Sequence, residues 1–445
     1  MPSLPPSVAR WYDPFVSLFV MVSLFLILTH TGISDTALVL VVVGAVTLVM
    51  CAFEWARVRP TLAPGPGPAT TPLLRRVIIK WTGVMTTVLG SMFLWWLIPF
   101  YTGAHYKPLF TLGPLLLPWF AVALIPYLFY TEWRLGEARD YAWNIGLAIT
   151  GTFTGIDWKS VRDGALSMLV RTVFLPLNTC FIIANTPHLR DQPWHIVLES
   201  PTPQSHALIL MAIYAVLIVA IIPGYLFSFR LLGTHTRAVD RSWFGWMVTL
   251  SCYPPLLAGV FGQWFAYNKF RFEEPFMKPW IYLFSDIPAL LYAVGFGIIA
   301  MELVHWLGEA ILGIRSSNLT HRGIITNGVF KPLRHPVYLS KCIGWFLIFC
   351  PFMMADTTLA CLRNTLLFGG VCLIYYLRAI AEERMLSVDS DYVAYATHLD
   401  QHGWLAFLGR RIPVLTFAWR HTHWHTKNPL PPGEGRVRDA ATSPH

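Results

Sequence analysis

The sequence is poor in charge. Only 13% of its 445 residues are Asp, Glu, Lys or Arg, whereas soluble domains carry about a quarter. Hydrophobic residues make up 55% of the chain and 19 residues are tryptophan. Long stretches without charge argue against two or three soluble domains and indicate a single polytopic membrane body.

A disulfide or metal framework is also missing. The cysteines are seven, an odd count without any CxxC pair, and most lie in or beside apolar runs. We interpret them as small residues of a membrane core. His421, His423 and His425 alternate, which could place them together on a strand but not on one face of a helix. No metal site is therefore predicted.

We identify no nucleic-acid motif, and we expect the first apolar run to be retained. The net charge of +9 comes from Arg and Lys in short loops between apolar runs, where they orient a membrane protein. The amino-terminal apolar run is longer than in most signal peptides and has no small-x-small cleavage site. We predict a retained first span, with a signal peptide as the alternative.

Apolar runs of bilayer-spanning length predict an all-α polytopic membrane protein. About ten candidate spans cover residues 14–31, 36–53, 77–100, 109–130, 166–186, 206–228, 243–267, 280–304, 337–355 and 364–381. The stretch 141–156 is too short and too polar for a span and is expected to be interfacial or re-entrant.

Composition divides the chain into five segments. They are an amino-terminal hairpin (1–58), a Pro/Gly-rich linker (59–76), a bundle without an assigned role (77–304), a carboxy-terminal core (305–427) and a disordered tail (428–445). Basic residues concentrate in the connections 54–76, 229–242 and 305–336, although 268–278 departs from this pattern. The charge bias predicts that both termini and the 305–336 loop face the cytoplasm.

Four ionisable residues occur within or beside apolar runs. Charges inside a membrane are costly, so Lys80, Arg171, Asp286 and Glu302 are functional candidates. Lys80 and Glu302 stand near span ends, where they could snorkel or face a loop. Asp286 could line an acceptor cavity or help pack the bundle.

A polar cluster stands at the start of the ninth predicted span. In "GVFKPLRHPVYLSKCIGWF" (328–346), Arg334 and His335 precede Pro336, which suits the first turn of a helix. Tyr338 follows within that turn, and the sequence from Val337 onward is apolar. The cluster is therefore expected at the mouth of the span.

A second polar cluster ends the tenth predicted span. Arg378 and Glu382 are spaced i, i+4 in "YYLRAIAEERML" (375–386), and Glu383 adjoins them. Two spans of similar length return the chain to the same membrane face. We therefore expect the two clusters to converge on one cytoplasmic pocket, where a water-soluble reagent meets a lipid-soluble one.

Residues 320–415 resemble a known family. A glycine-led turn, RHPVY, a helical hairpin, "RAIAEERML" and the pair Tyr392 and Tyr395 occur in the order seen in isoprenylcysteine carboxyl methyltransferases and phospholipid methyltransferases. The resemblance implies an integral membrane enzyme that uses S-adenosylmethionine. Ser340 and Lys341 depart from the small or apolar residues usual there, and the resemblance does not extend to the first 300 residues.

The resemblance implies a role for each residue of the two clusters. His335, Pro336 and Tyr338 would line the cofactor site, and Glu382 and Glu383 would hold the cofactor's ammonium group. Further roles fit the chemistry of the side chains: Arg334 or Arg378 would hold a carboxylate of cofactor or acceptor, the rings of Tyr338 and Tyr375 would attract the sulfonium, and Glu383 would assist an amine acceptor.

These features predict methyl transfer to a lipophilic acceptor that enters from the bilayer, with a carboxylate favoured as the acceptor group. Phospholipid N-methylation is the first alternative, and a sterol-reductase-like membrane oxidoreductase using NADPH is the second. Membrane lipids are the expected partners, no nucleic acid is expected, and no pattern indicates an oligomeric state. Taken alone, each charged residue is also explained as a topology anchor or a surface pair.

Overall fold

A computed structural model describes residues 4–59, 70–199, 201–267 and 278–427. This part of the chain is almost wholly helical. The α-helices are α1 (Asp13–Thr29), α2 (Asp35–Val58), α3 (Leu73–Leu97), α4 (Lys107–Leu135), α5 (Tyr141–Ile149), α6 (Trp158–Arg190), α7 (Ile196–Glu199), α8 (Pro203–Leu226), α9 (Trp243–Leu250), α10 (Pro279–Phe284), α11 (Pro288–Leu312), α12 (Pro336–Phe349), α13 (Thr358–Leu386), α14 (Ser390–His402), α15 (Ala406–Arg411) and α16 (Phe417–Lys427). Two short strands, β1 (Ala238–Val239) and β2 (Thr320–His321), pair antiparallel.

Seven helices in the described ranges are long and apolar enough to cross a membrane: α2, α3, α4, α6, α8, α11 and α13. The expectation of an all-α, multi-pass architecture is confirmed at this level. Helices α1 and α12 are apolar but only 17 and 14 residues long. At about 1.5 Å of rise per residue, α12 extends for roughly 21 Å, less than the hydrocarbon core. The count of ten spans stays a prediction.

Two expected spans are interrupted. The segment 243–267 contains α9, a proline-bearing break and a π-helical turn over Ala258–Gly262. Prolines 254 and 255 lack the amide hydrogens that would continue α9. The segment 280–304 is broken between α10 and α11, because Pro288 disfavours a helical conformation at Ile287. Neither segment is therefore one continuous helix, and whether each crosses the membrane stays a prediction.

The largest apolar core surrounds α8. Leu217 and Ile222 of α8 pack with Val42 and Val46 of α2, Ile182 of α6 and other buried aliphatic residues of α1 and α11. A second core joins α10, α11, α12 and α13 with the interrupted segment, through rings such as Phe265, Phe349 and Tyr375. The second core holds the carboxy-terminal hairpin against the rest of the bundle.

Helices α5 and α3 pack very closely because each contributes a glycine to their contact. A Cβ atom on Gly83 would lie 1.9 Å from the carbonyl oxygen of Ala142, and one on Gly146 would lie 1.9 Å from that of Ile79. Small residues at such positions let helix backbones approach in membranes. The stretch 141–156 thus forms a nine-residue helix, consistent with its being too short to span.

Three basic connections meet at one end of the bundle. Strand β1 in the 229–242 connection pairs with β2, and Asp240 N donates to Leu319 O at 2.8 Å. Arg315 donates to Glu54 at the end of α2, with Nη2–Oε2 at 2.7 Å. The amino-terminal segment also lies there, since Asn327 Nδ2 donates to Ala9 O at 2.6 Å. Residues 60–69 of the expected linker and the expected tail 428–445 lie outside the described residues.

The ionisable residues of the apolar runs have different surroundings. Lys80 is buried and pairs with Glu132 at 2.6 Å and Asp140 at 2.8 Å, so it does not snorkel. Glu302 is also buried, inside the bundle. Asp286 lies in the break between α10 and α11 and is exposed, so neither expected role is seen for it. Arg171 faces a cavity that is described below.

Candidate functional site

Helices α12 and α13 form the expected hairpin and bring their polar ends together. Pro336 occupies the first turn of α12, as its missing amide hydrogen allows. Tyr338 then donates a hydrogen bond to Glu382 of α13, with Oη–Oε2 at 2.6 Å. This bond directly joins the two sequence clusters.

A polar cavity opens beside this bond. Its wall contains Tyr338, Arg378 and Glu382 of the hairpin, together with Asp240, Glu309, Asn318 and neighbouring residues. Three carboxylates and one guanidinium thus surround one space. Glu382 is only partly buried, and the described residues supply it with no cationic partner within ion-pair distance.

Arg378 is held in this wall by neutral groups. Its Nη2 donates to Asn318 Oδ1, and its guanidinium carbon lies 5.0 Å from the ring centre of Tyr338 and 5.4 Å from that of Tyr253. Such packing over aromatic faces is favourable for a guanidinium. Arg378 is buried and does not form the i, i+4 ion pair with Glu382 that the spacing suggested. Both side chains therefore line the cavity, and neither has an ion-pair partner among the described residues.

Glu383 belongs to a separate, closed cluster. Its Oε1 lies 3.1 Å from His335 Nε2 and 3.3 Å from Arg334 Nε, and its Oε2 accepts from Arg420 of α16. The side chain is 2% exposed. Both carboxylate oxygens of Glu383 are engaged inside the protein, so this geometry favours a structural role. The roles predicted for Glu383 in cofactor binding and in proton transfer stay predictions.

Arg334 fastens α14 and α16 to the hairpin. Its Nη1 donates to Asp400 at 2.6 Å, and Asp400 also accepts from Phe417 N and Ala418 N at the start of α16. Burial lowers the pKa of Arg334, but Glu383 and Asp400 raise it, so that it lies above its usual value. Arg334 is thus engaged by carboxylates within the protein, whereas Arg378 lines the cavity, and the predicted role of either in holding a carboxylate stays a prediction.

The remaining predicted residues lie behind the cavity. The His335 ring stacks on the Tyr338 ring, with centres 5.5 Å apart and planes 8° apart. Tyr375 is buried in the second core, and its ring centre lies 5.8 Å from that of Tyr338. The Lys341 ammonium lies 5.8 Å from the ring centre of Tyr375. His335 and Tyr375 support Tyr338 and do not line the cavity described here.

Sequence reasoning missed four residues around the cavity: Asp240, Tyr253, Glu309 and Asn318. Asn318 is central, since it accepts from Arg378 and its Nδ2 donates to Tyr253 Oη at 3.1 Å. Only the polar run "SSNLT" (316–320) after an apolar helix hinted at it. Asp240 arrives through the β1–β2 pairing, which no local pattern indicated.

A second polar group, around the sequence candidate Glu302, lies inside the bundle, and its partners Tyr214 and His305 were not singled out from the sequence. Tyr214 of α8 donates to Glu302 Oε1 at 2.8 Å, and Glu302 Oε2 lies 3.0 Å from His305 Nδ1. Both carboxylate oxygens of Glu302 therefore have partners, one on α8 and one on its own helix α11, which limits the cost of burying the group. Glu302 joins α8 to α11 and has no contact with the candidate site.

Among the residues that the structure describes, no group of three or more His, Cys, Asp or Glu could hold a metal ion. The histidines 421 and 423 lie on helix α16. No family model, curated protein or solved structure matches the chain.

The polar groups of the cavity wall are of the kinds that could hold the charged groups of S-adenosylmethionine. Glu382, Glu309 and Asp240 offer acceptors for an ammonium, Arg378 offers a fork for a carboxylate, and the Tyr338 ring offers a face for a cation. A nicotinamide dinucleotide would instead bring negatively charged phosphates beside these three carboxylates. Arg378 is the one Arg or Lys in the described wall.

Proposed function

We propose that the protein is an integral membrane methyltransferase that uses S-adenosylmethionine and acts on a lipophilic acceptor. The observation that carries the proposal is the cavity at the hairpin mouth, where Glu382, Arg378 and Tyr338 present opposite charges and an aromatic face to one space. The bundle end that holds it carries the basic connections, which supports access from the cytoplasm.

Each wall residue has one task in this proposal. Glu382 binds the cofactor's ammonium, fixed in position by the Tyr338 hydroxyl. Arg378, held by Asn318 and Tyr253, binds a carboxylate of the cofactor or of the acceptor. The bound cofactor supplies an electrophilic methyl group.

The protein's contribution to rate is positioning. Holding two reactants in near-attack contact can lower a barrier by roughly 7–11 kcal/mol. A carboxylate acceptor is already a nucleophile and needs no general base, which agrees with the full engagement of Glu383 by its neighbours. We therefore favour a carboxylate over an amine as the acceptor group.

Labelled methyl groups test the proposal. Membranes that contain the protein should transfer label from methyl-labelled S-adenosylmethionine into the lipid fraction, and mild alkali should release it as methanol from an ester. Label that withstands alkali would contradict the carboxylate assignment and support N-methylation. Transfer that is equal in membranes without the protein would contradict the proposed activity.

A further inference from the structure

A second cavity lies among α3, α4, α6 and α8, away from the proposed cofactor site. It has a volume of about 130 Å³. Its wall combines apolar residues such as Val88 and Phe120 with the hydroxyl-bearing residues Ser91 and Ser167. Arg171 of α6 is the only charged residue in the described wall, which contains no carboxylate.

The guanidinium group of Arg171 has hydrogen-bond donors without acceptors in the described chain. Its Nε and Nη2 are both buried, and neither has an acceptor among the described residues. Buried guanidinium nitrogens without an acceptor are costly, and these belong to a helix that is long and apolar enough to span a bilayer. An anion in the cavity would remove that cost.

A second uncompensated cation lies behind the same wall. Arg322 is 2% exposed, donates from Nη1 to the carbonyl oxygens of Gly224 and Phe227, and leaves Nε and Nη2 without an acceptor in the described chain. The residues between those carbonyls, Tyr225 and Leu226, line the cavity. Burial and then the charge of Arg171 lower the pKa of Arg322 to about 9.

The region around the cavity therefore has positive charge without a matching carboxylate. Arg315, the next cation, is neutralised by Glu54. Neither Arg171 nor Arg322 forms an ion pair within the described residues. An acidic ligand from outside the chain would neutralise these two arginines.

We propose that this cavity binds the phosphate of a membrane lipid head group, with Arg171 as its principal ligand. Guanidinium groups bind phosphate through two parallel hydrogen bonds, and serine and threonine hydroxyls add further donors. A lipid suits the site better than a free ion, because aliphatic and aromatic side chains line the cavity beside Arg171. The inference does not depend on methyl transfer.

Lipid titration followed by native mass spectrometry tests this site on the full-length, delipidated protein in detergent. The probes are phosphatidylglycerol, diacylglycerol without phosphate, and inorganic phosphate. We expect saturable binding of phosphatidylglycerol and none of diacylglycerol. Binding of inorganic phosphate as well would support the same site, whereas binding of inorganic phosphate without phosphatidylglycerol would overturn the lipid assignment.

Paired variants locate the site. Arg171→Gln should weaken phosphatidylglycerol binding roughly ten- to a hundredfold, the loss expected for a charge-assisted contact. Arg162→Gln removes an exposed arginine from the same helix and should leave the affinity unchanged. Equal affinity in the Arg171 and Arg162 variants would overturn the proposal.

A cavity-filling variant covers the case in which Arg171→Gln does not fold. Val88→Phe places a larger side chain in the cavity and keeps Arg171, whereas Leu89→Phe changes the adjacent residue, which is exposed. We expect loss of phosphatidylglycerol binding only in Val88→Phe. Retention of full affinity in Val88→Phe would contradict binding in this cavity.

Discussion

The adjacent residues Glu382 and Glu383 have very different surroundings. Glu382 is partly exposed to the polar cavity and bound by Tyr338, whereas Glu383 is enclosed by His335, Arg334 and Arg420. Successive residues of a helix point about 100° apart, so one carboxylate reaches the cavity and the other reaches α14 and α16. The two glutamates therefore provide a matched test of ligand binding against stability.

Glu382→Gln should weaken S-adenosylmethionine binding about ten- to a hundredfold, because a charge-assisted hydrogen bond is worth roughly 1.5–3 kcal/mol. The thermal unfolding midpoint in detergent should change little, since Glu382 forms no ion pair within the described residues. Calorimetric titration measures the affinity. Unchanged affinity in a folded Glu382→Gln protein would remove this residue from the site.

Glu383→Gln is the control, and its effect should be on folding. Breaking a buried ion pair from one side costs about 3–5 kcal/mol, because the partners keep uncompensated charge. Arg334 and Arg420 would lose their shared carboxylate. We expect a lower unfolding midpoint for Glu383→Gln. A stable Glu383→Gln protein that has lost cofactor affinity would reverse the assigned roles.

The contact between Asp389 and His321 should make stability depend on acid. Burial raises the pKa of Asp389, but the hydrogen bond and charge of His321, at 2.7 Å, lower it below its ordinary value of 3.8, with a contribution from Arg237. A carboxyl group whose pKa is depressed in the folded state stabilises the protein at pH values above its ordinary pKa. That stabilisation is lost as the pH falls below the ordinary pKa and through the depressed one.

The unfolding midpoint of the wild type should therefore fall more steeply below about pH 4 than that of Asp389→Asn, which cannot titrate. Differential scanning calorimetry over acidic pH measures the two curves. Parallel curves would show that Asp389 titrates alike in the folded and unfolded chain.

At the scale of helices, the contact between α3 and α5 depends on Gly83. Gly83→Ala would place its Cβ 1.9 Å from Ala142 O, so the helices must separate, at a cost of about 1–3 kcal/mol. Gly90→Ala on the same helix would meet only Met168 Sδ at 3.5 Å, an ordinary contact. Thermal unfolding should distinguish the two variants. Equal midpoints would contradict the close packing.

The length of an apolar run predicts that a helix is present. It does not predict whether that helix is continuous. The run 243–267 has the hydropathy of a span, yet Pro254 and Pro255 interrupt the backbone within it. The same limit applies at Ile287, where a proline on the next residue outweighs the apolar pattern. Hydropathy measures transfer of side chains into lipid and is insensitive to one missing backbone donor.

The hairpin half of the candidate site was accessible to sequence reasoning, because α12 and α13 return to the same end and place Tyr338 against Glu382. The other half was not. Asp240 and Asn318 reach the cavity through tertiary pairing of two distant connections. Sequence spacing also suggested an Arg378–Glu382 pair, whereas packing directs Arg378 to Asn318 and Tyr253.

For the whole molecule, the basic loops predict the orientation in the membrane. In a background without the native cysteines, Lys331→Cys at the candidate-site end should resist a membrane-impermeant thiol reagent on intact cells. Asp356→Cys, in the turn between α12 and α13 at the other end, should be labelled. Both positions are exposed on the protein. The reverse labelling pattern would place the site outside the cytoplasm.

The central claim is that the cavity beside Tyr338 and Glu382 binds S-adenosylmethionine. Equilibrium dialysis of the purified protein with labelled S-adenosylmethionine, and in parallel with NADPH, measures this most directly. We expect saturable binding of S-adenosylmethionine at one site per chain, no competition by NADPH, and marked weakening in Glu382→Gln. Saturable binding of NADPH with no retention of S-adenosylmethionine would contradict the account.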